Sequence, residues 1–163
     1  MSSASPKLQG KQRIGLISDT HGLMRPEALE RLQDSDLLIH AGDIGKPEVL
    51  AALKELAPVI AIKGNNDTGS WARNLPRTKK ITISSARLYV IHNLQDLSFD
   101  PGLRGFRVVI SGHSHKPAIQ TKGNVLFVNP GSAGPRRFKL PICVGRLLVQ
   151  GETIDGEIIE LTT

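Results

Sequence analysis

The chain has 163 residues, 39% of them hydrophobic and 22% charged, which suits one globular domain with an ample core. A lone cysteine, Cys143, excludes an internal disulfide framework and a cysteine-rich zinc site, and points to a reducing, cytoplasmic setting. No continuous run of ~18 apolar residues is present, so no membrane helix is expected. The formal net charge of +6, with only 4% aromatic residues, favours an anionic small molecule over a polymer read by base stacking.

Residues 1–12, opening MSSASPKLQG, are small, polar and aperiodic and read as a disordered lead-in. Residues 13–163 then form a single domain. Three short apolar runs follow as strands: Ile14 to Ser18, Leu37 to His40 and Val59 to Lys63. Between them lie two helices, each opening on a proline. Pro26 begins PEALERLQ, with Leu29 and Leu32 on one face. Pro47 begins PEVLAALKEL, with Val49, Leu50, Leu53 and Leu56 on one face. This βαβαβ front half predicts a parallel sheet with right-handed crossovers.

After Gly69 the rhythm becomes that of strands. KKITIS and RLYVIH read as a hairpin turning at Ser85-Ala86, and RVVIS (107–111) follows a loop marked by glycine and proline. AIQT and VLFVN form a second hairpin around Lys122-Gly123-Asn124. The stretch from Ile142 to Leu161 alternates as two antiparallel strands turning between Gln150 and Gly156. The expected fold is a two-sheet α/β sandwich with a mostly antiparallel back half.

Polar residues that bind metals stand at the carboxyl ends of these strands. Asp19 and His21 follow the first, Asp43 the second and Asn65 the third. His92 ends RLYVIH, and RVVIS runs into His113 and His115. Loops at the carboxyl ends of parallel strands share one edge, so these groups can converge. Two aspartates, an asparagine and four imidazoles suit Mn, Fe, Zn, Ni or Co better than an all-oxygen Ca or Mg site. Seven donors are too many for one open catalytic ion, but they serve two ions if one carboxylate bridges.

These motifs, SDTHG (18–22), GDIG (42–45), GNND (64–67), His92, GHSH (112–115) and NPGS (129–132), resemble those of the calcineurin-like metallophosphoesterase superfamily. The nearest likeness is to its small bacterial and archaeal phosphodiesterases. The resemblance implies a first metal on Asp19, His21 and His115, a second on Asn65, His92 and His113, and Asp43 as the bridge. It also implies Asp43, Asn65 and His92 around the reacting phosphate, with in-line attack by a hydroxide held between the ions. Mn is the foremost metal, with Ni, Co, Fe or Zn as alternatives. The substrate would be a small phosphodiester, and the assembly a homodimer or homotetramer.

The chain departs from the superfamily where many members have a histidine near the leaving group, because Asn66 stands there. A neutral amide can donate a hydrogen bond but cannot deliver a proton, so no protein acid is assigned. Asn66 and Arg136 are the candidate substrate contacts. His40 either hydrogen-bonds near Asp43 or packs at its strand end, Asp67 orients a neighbour or caps its loop, and Trp71 lines the site or covers the core. The run Arg77 to Lys80 reads as a solvated edge, and Cys143 as inert core. Two alternatives remain: a phosphomonoesterase with the same site, and a protein-interaction scaffold, a use seen in a retromer subunit of similar fold.

Overall fold

The computed structural model describes residues 10–163, so most of the expected lead-in lies outside the described residues. The first strand, β1 (Gln12–Ile17), begins one residue before the expected domain start. It is followed by α1 (Pro26–Leu32), β2 (Leu37–His40), α2 (Pro47–Lys54) and β3 (Val59–Ala61). Both helices open on their proline, whose missing N–H costs nothing in a first turn. Neither has a side-chain cap. Glu27 and Glu48 in the first turns, with Arg31 and Lys54 in the last turns, complement the helix dipoles instead. Leu56 lies just beyond the end of α2 and still packs, half-buried, with Val49 and Leu53.

The remaining strands are β4 (Thr78–Ile83), β5 (Ala86–Ile91), β6 (Val108–Ile110), β7 (Ala118–Lys122), β8 (Val125–Asn129), β9 (Cys143–Gln150) and β10 (Thr153–Glu160). They complete two five-stranded sheets, ordered β10-β9-β1-β2-β3 and β4-β5-β6-β8-β7. The β4–β5 turn falls at Ser84-Ser85, one residue earlier than expected. Ala86 is already paired with Ile83, and Ser84 takes the positive φ the tight turn requires. The terminal hairpin β9–β10 joins the front sheet, with β9 antiparallel to β1.

The three hairpins of the back half are antiparallel, as expected, but its central strands β5, β6 and β8 run parallel to one another. This exception positions the site. A purely antiparallel meander would send successive loops to opposite edges. Parallel triplets in both sheets, β1-β2-β3 and β5-β6-β8, send six loops to one edge instead.

Period-two alternation divides the side chains among three layers. Ile14, Leu16, Leu37 and Ile39 from the front sheet meet Ile81, Leu88, Val90, Val108 and Ile110 from the back sheet. Ile17 and Leu38 point the other way, onto Ala28 and Leu32 of α1 and Val49 and Leu53 of α2. Outside the back sheet, Tyr89, Ile91 and Val109 are covered by Phe106 and Phe99 from the connection between β5 and β6. Cys143 is buried, and burial together with nearby Glu160 pushes its thiol up to about 11, so it is an inert core residue. Trp71 packs against the helix layer.

Leu88 is fully buried between the sheets, whereas Leu103 is 86% exposed. Leu88→Ala is therefore expected to destabilise the fold by about 2–5 kcal/mol, and Leu103→Ala by less than about 0.5 kcal/mol. Urea titrations of both variants against the parent protein check this pair of outcomes.

Candidate metal centre

The loops that follow the parallel strands are wound unusually tightly. Among the described residues, seven non-glycine positions have positive φ, and five of them are Asp19, His21, Asp43, His113 and His115. Left-handed backbone at such residues costs roughly 1–3 kcal/mol apiece and persists only where the surroundings enforce it. Close backbone approach supplies that enforcement. A Cβ on Gly42 would fall 2.6 Å from Nδ1 of His92, and one on Gly112 would fall 2.6 Å from Oδ2 of Asp19. Only glycine lets loops from the two sheets meet there.

Asp19 sits at the middle of the assembly and is fully buried. Its Oδ2 accepts from the Ser18 hydroxyl at 2.7 Å and from the His113 backbone N–H at 3.0 Å. Its Oδ1 is buried without any hydrogen bond. That oxygen lies 3.5 Å from Nε2 of His115, 3.8 Å from Nε2 of His92 and 4.0 Å from Nε2 of His21. Oδ2 of Asp43 stands 3.3 Å from Nε2 of His92 and 3.8 Å from Nε2 of His21. Two groups of donors result, Asp19 with His21 and His115, and Asp19 with Asp43 and His92.

The surroundings act differently on two of the imidazoles. Nδ1 of His92 donates to the Ala41 carbonyl at 2.7 Å, which fixes the tautomer and aims the Nε2 lone pair at the carboxylates. That Nε2 is buried and makes no hydrogen bond. Burial disfavours a charge on His92, but Asp43, the Ala41 carbonyl and Asp19 outweigh it and raise its pKa. Burial, reinforced by the guanidinium of Arg137, lowers His115 to about 4. Its Nε2 lies 3.4 Å from that of His21, a separation two lone pairs tolerate when a cation lies between them.

The two carboxylates respond in opposite ways. Burial raises the pKa of Asp19, and the bond from Ser18 only partly offsets this. Burial acts in the same sense on Asp43, but His92, the Asn66 N–H and His21 together hold its carboxyl below the usual range. A buried carboxylate oxygen and imidazole nitrogen, unpaired and facing each other, fit a divalent cation and fit little else.

Four further residues tie the ligand loops together. His40 is buried, and burial lowers its pKa to about 3. Its Nδ1 accepts from Gly42 N–H at 3.1 Å, so its Nε2–H donates to the Thr20 hydroxyl at 3.0 Å. That hydroxyl donates in turn to the Ile44 carbonyl at 2.8 Å. His40 therefore hydrogen-bonds beside Asp43 and couples its loop to the Asp19 loop. The buried Asp67 carboxylate accepts from the N–H groups of Ile44, Gly45 and Gly64, joining the Asp43 and Asn65 loops. Asn129 donates to the Gly112 carbonyl, and Ser132 to that of Asp19, so the 129–132 segment shapes the loops.

Asn66 donates from its backbone at 2.9 Å and from its side chain at 3.4 Å to Asp43. His113 is exposed, with its ring centroid 5.3 Å from that of His92. Asn65 is exposed on a cavity wall that also includes His92. Arg136 is engaged elsewhere, donating to the Leu140 carbonyl and the Thr163 hydroxyl. The positive charge of Arg137 contributes to the lowered pKa of His115.

A family model described as the calcineurin-like phosphoesterase superfamily domain matches residues 13–152. A probable metallophosphoesterase of Methanothermobacter thermautotrophicus is 37% identical over 158 residues, covering 90% of this chain and 91% of that protein. Phosphodiesterase YfcE of Escherichia coli K12 is 28% identical, with 83% and 86% coverage. Among solved structures, Vacuolar Protein Sorting 29 from Cryptosporidium parvum superposes with a TM-score of 0.75 at 18% identity, covering 95% of this chain and 100% of that one. The chain thus belongs to the calcineurin-like phosphoesterase superfamily and is a hydrolase of phosphoric esters that uses divalent metal.

Proposed function

We propose that the chain is a phosphodiesterase holding two divalent ions. Asp19, His21 and His115 hold the first, and Asn65, His92 and His113 the second, with Asp43 between them. The observation that carries this reading is the buried, unpaired Oδ1 of Asp19, ringed by three imidazole nitrogens within 4.0 Å. The position of Asp43 Oδ2, within 3.8 Å of both His21 and His92, supports its bridging role. Asp19 belongs to both donor groups, so it also lies against the second position. The phosphodiesterase name of a relative supports the diester preference.

Two ions held there would supply Lewis acidity toward the phosphate oxygens and would activate water at neutral pH, the requirements of an in-line displacement. The protein's own part is to fix geometry. The strained loops pre-set the donors, Asn66 orients Asp43, and the clamps from His40 and Asp67 keep the loops in register. Mn is the metal proposed first, because mixed oxygen and imidazole donors suit it. The open edges of both sheets, with Leu103 and Phe138 exposed, support assembly as a homodimer or homotetramer. The fold likeness to Vacuolar Protein Sorting 29 favours a scaffold as the second reading, and the two donor groups support the enzyme as the first.

Protein stripped with chelator should not hydrolyse bis-p-nitrophenyl phosphate, and Mn²⁺ should restore turnover. Asp43→Asn should lose at least about 100-fold of the restored rate, the scale on which charge-stabilising groups act. Inactivity with Mn²⁺, Ni²⁺, Co²⁺ and Zn²⁺ alike, despite bound metal, would favour the scaffold.

Metal binding should also appear as stability. With free Mn²⁺ at about 100 times its dissociation constant, the native state gains about 2.7 kcal/mol. That is a rise in Tm of roughly 5–10 °C for a chain of this size. Calorimetry of parent and Asp19→Asn proteins tests this, because the variant should lose most of the rise.

Without a protonated side chain at position 66, turnover should depend steeply on the acidity of the leaving alcohol. Asn66→His is expected to accelerate diesters of poor leaving groups by about tenfold or more, with little change for p-nitrophenyl esters. A plot of log kcat against leaving-group pKa, compared between the two proteins, checks the change in slope.

A further inference from the structure

One flank of the metal centre is a cationic cleft outside the donor set. Lys63 lies two residues before Asn65, and its backbone N–H bonds the Pro76 carbonyl at 2.7 Å. That bond draws the approach to β4, and with it Arg77, alongside the Asn65 loop. Arg73 follows the short 3-10 turn Ser70–Ala72. Lys63, Asn65, Arg73 and Arg77 line a cavity of about 370 Å³. A second cavity, of about 220 Å³, shares Lys63, Asn65 and Arg77 and continues to His92. Arg77 to Lys80 are all exposed, as a solvated edge requires, and Arg77 also lines this cleft while Lys79 and Lys80 lie on the outermost strand β4.

The three cations share one further property. Among the described residues, neither Lys63, Arg73 nor Arg77 has an ion pair or a side-chain hydrogen bond. Arg13 and Arg146, by contrast, are paired with Asp34, and Arg146 also with Glu157. Asp67 lines the larger cavity, but its carboxylate is buried and taken up by three backbone N–H groups. Asp96 is the one exposed carboxylate on either wall. Three cations gathered along one concave wall, none of them paired with a carboxylate, raise the local potential and draw in an anion. Two planar guanidinium forks and a mobile ammonium match the oxygens of a phosphate.

We infer that this cleft is a subsite for a second phosphate carried on the substrate arm that lies on the Asn65 side of the centre. The substrate class is then a phosphodiester bearing a further phosphate on that arm. The inference rests on the diesterase reading above and narrows it. The same neighbouring phosphate occurs in a small nucleotide with two phosphates and in a nucleic-acid backbone.

The test compares two chromogenic diesters on the Mn²⁺-loaded enzyme. They are the p-nitrophenyl ester of thymidine 5′-phosphate and the same compound with an added 3′-phosphate. The added phosphate should raise kcat/KM about tenfold at low ionic strength, and the advantage should shrink as salt is added. In the double variant Arg73→Ala/Arg77→Ala the ratio between the two substrates should fall below about threefold. Arg13→Ala, which removes a distant paired cation, should leave that ratio in place. Equal rates in the parent enzyme, or an advantage that survives the double variant, overturns the subsite.

Calorimetric binding of thymidine 3′,5′-bisphosphate against thymidine 5′-phosphate reads the same cleft without turnover. Preference for the bisphosphate that is lost in the double variant supports the subsite even if neither ester is hydrolysed, and then only the diesterase reading fails. Absence of preference overturns the subsite whatever the activity. Thymidine oligonucleotides of two and eight units, carrying the same terminal ester, separate the two sources. A flat response to length is expected and supports a small bisphosphorylated substrate, whereas kcat/KM rising with length overturns that assignment in favour of a polynucleotide.

Discussion

Asp19 and Asp43 are brought together where neither has water enough to stabilise a full charge, and much of the structure answers that constraint. Asp43 is stabilised internally by the Asn66 N–H and neighbouring imidazoles. Asp19 is left with one oxygen unpaired and its pKa raised. A buried carboxylate in that state costs several kcal/mol unless a cation arrives. The protein alone does not complete this pocket. Divalent metal does, which makes metal affinity and native stability two expressions of one electrostatic balance.

Holding that arrangement open requires rigidity just behind it. Five candidate ligands adopt left-handed backbone, and nothing in a loop alone would keep them there. The cost is met by hydrogen bonds that run from loop to loop rather than within a loop. His40 and Thr20 join the first two, Asp67 the second and third, Asn129 joins two loops of the back sheet, and Ser132 joins the back sheet to the front. Each of these groups is buried, so each bond is made in a medium where leaving it unmade is expensive. The donors are thereby positioned before metal binds, and little reorganisation is left for the chemistry.

Much of this was legible in the sequence, for identifiable reasons. The front half announces itself through prolines at helix starts and β-branched runs between them, both local signals. The five grouped donors, Asp19, His21, Asp43, His92 and His115, were legible because each stands at or just beyond a strand end, where an apolar run gives way to Asp or His. The parallel course of β5, β6 and β8 was not legible. The connection from β5 to β6 contains only a three-residue 3-10 turn, Leu94–Asp96, and no α-helix, so its pattern reads as a meander. Nor could the sequence show that Arg136 is engaged by the Leu140 carbonyl and the Thr163 hydroxyl, contacts set by the loop and the chain end. The cationic cleft was hidden for a similar reason. Lys63 and Arg77 are fourteen positions apart, and a single backbone hydrogen bond, Lys63 N–H to the Pro76 carbonyl, brings them to one wall.

The same architecture matches Vacuolar Protein Sorting 29 closely in backbone while sharing few residues with it. Fold likeness at that level carries no chemistry by itself, because the sandwich depends on period-two burial that many sequences satisfy. What distinguishes this chain as a hydrolase is confined to one edge. There the strained backbone, the unpaired Asp19 oxygen and the aligned His92 lone pair each impose a cost on the metal-free fold. Their coexistence at the carboxyl ends of both parallel triplets is accounted for by metal-dependent chemistry and by no requirement of the fold.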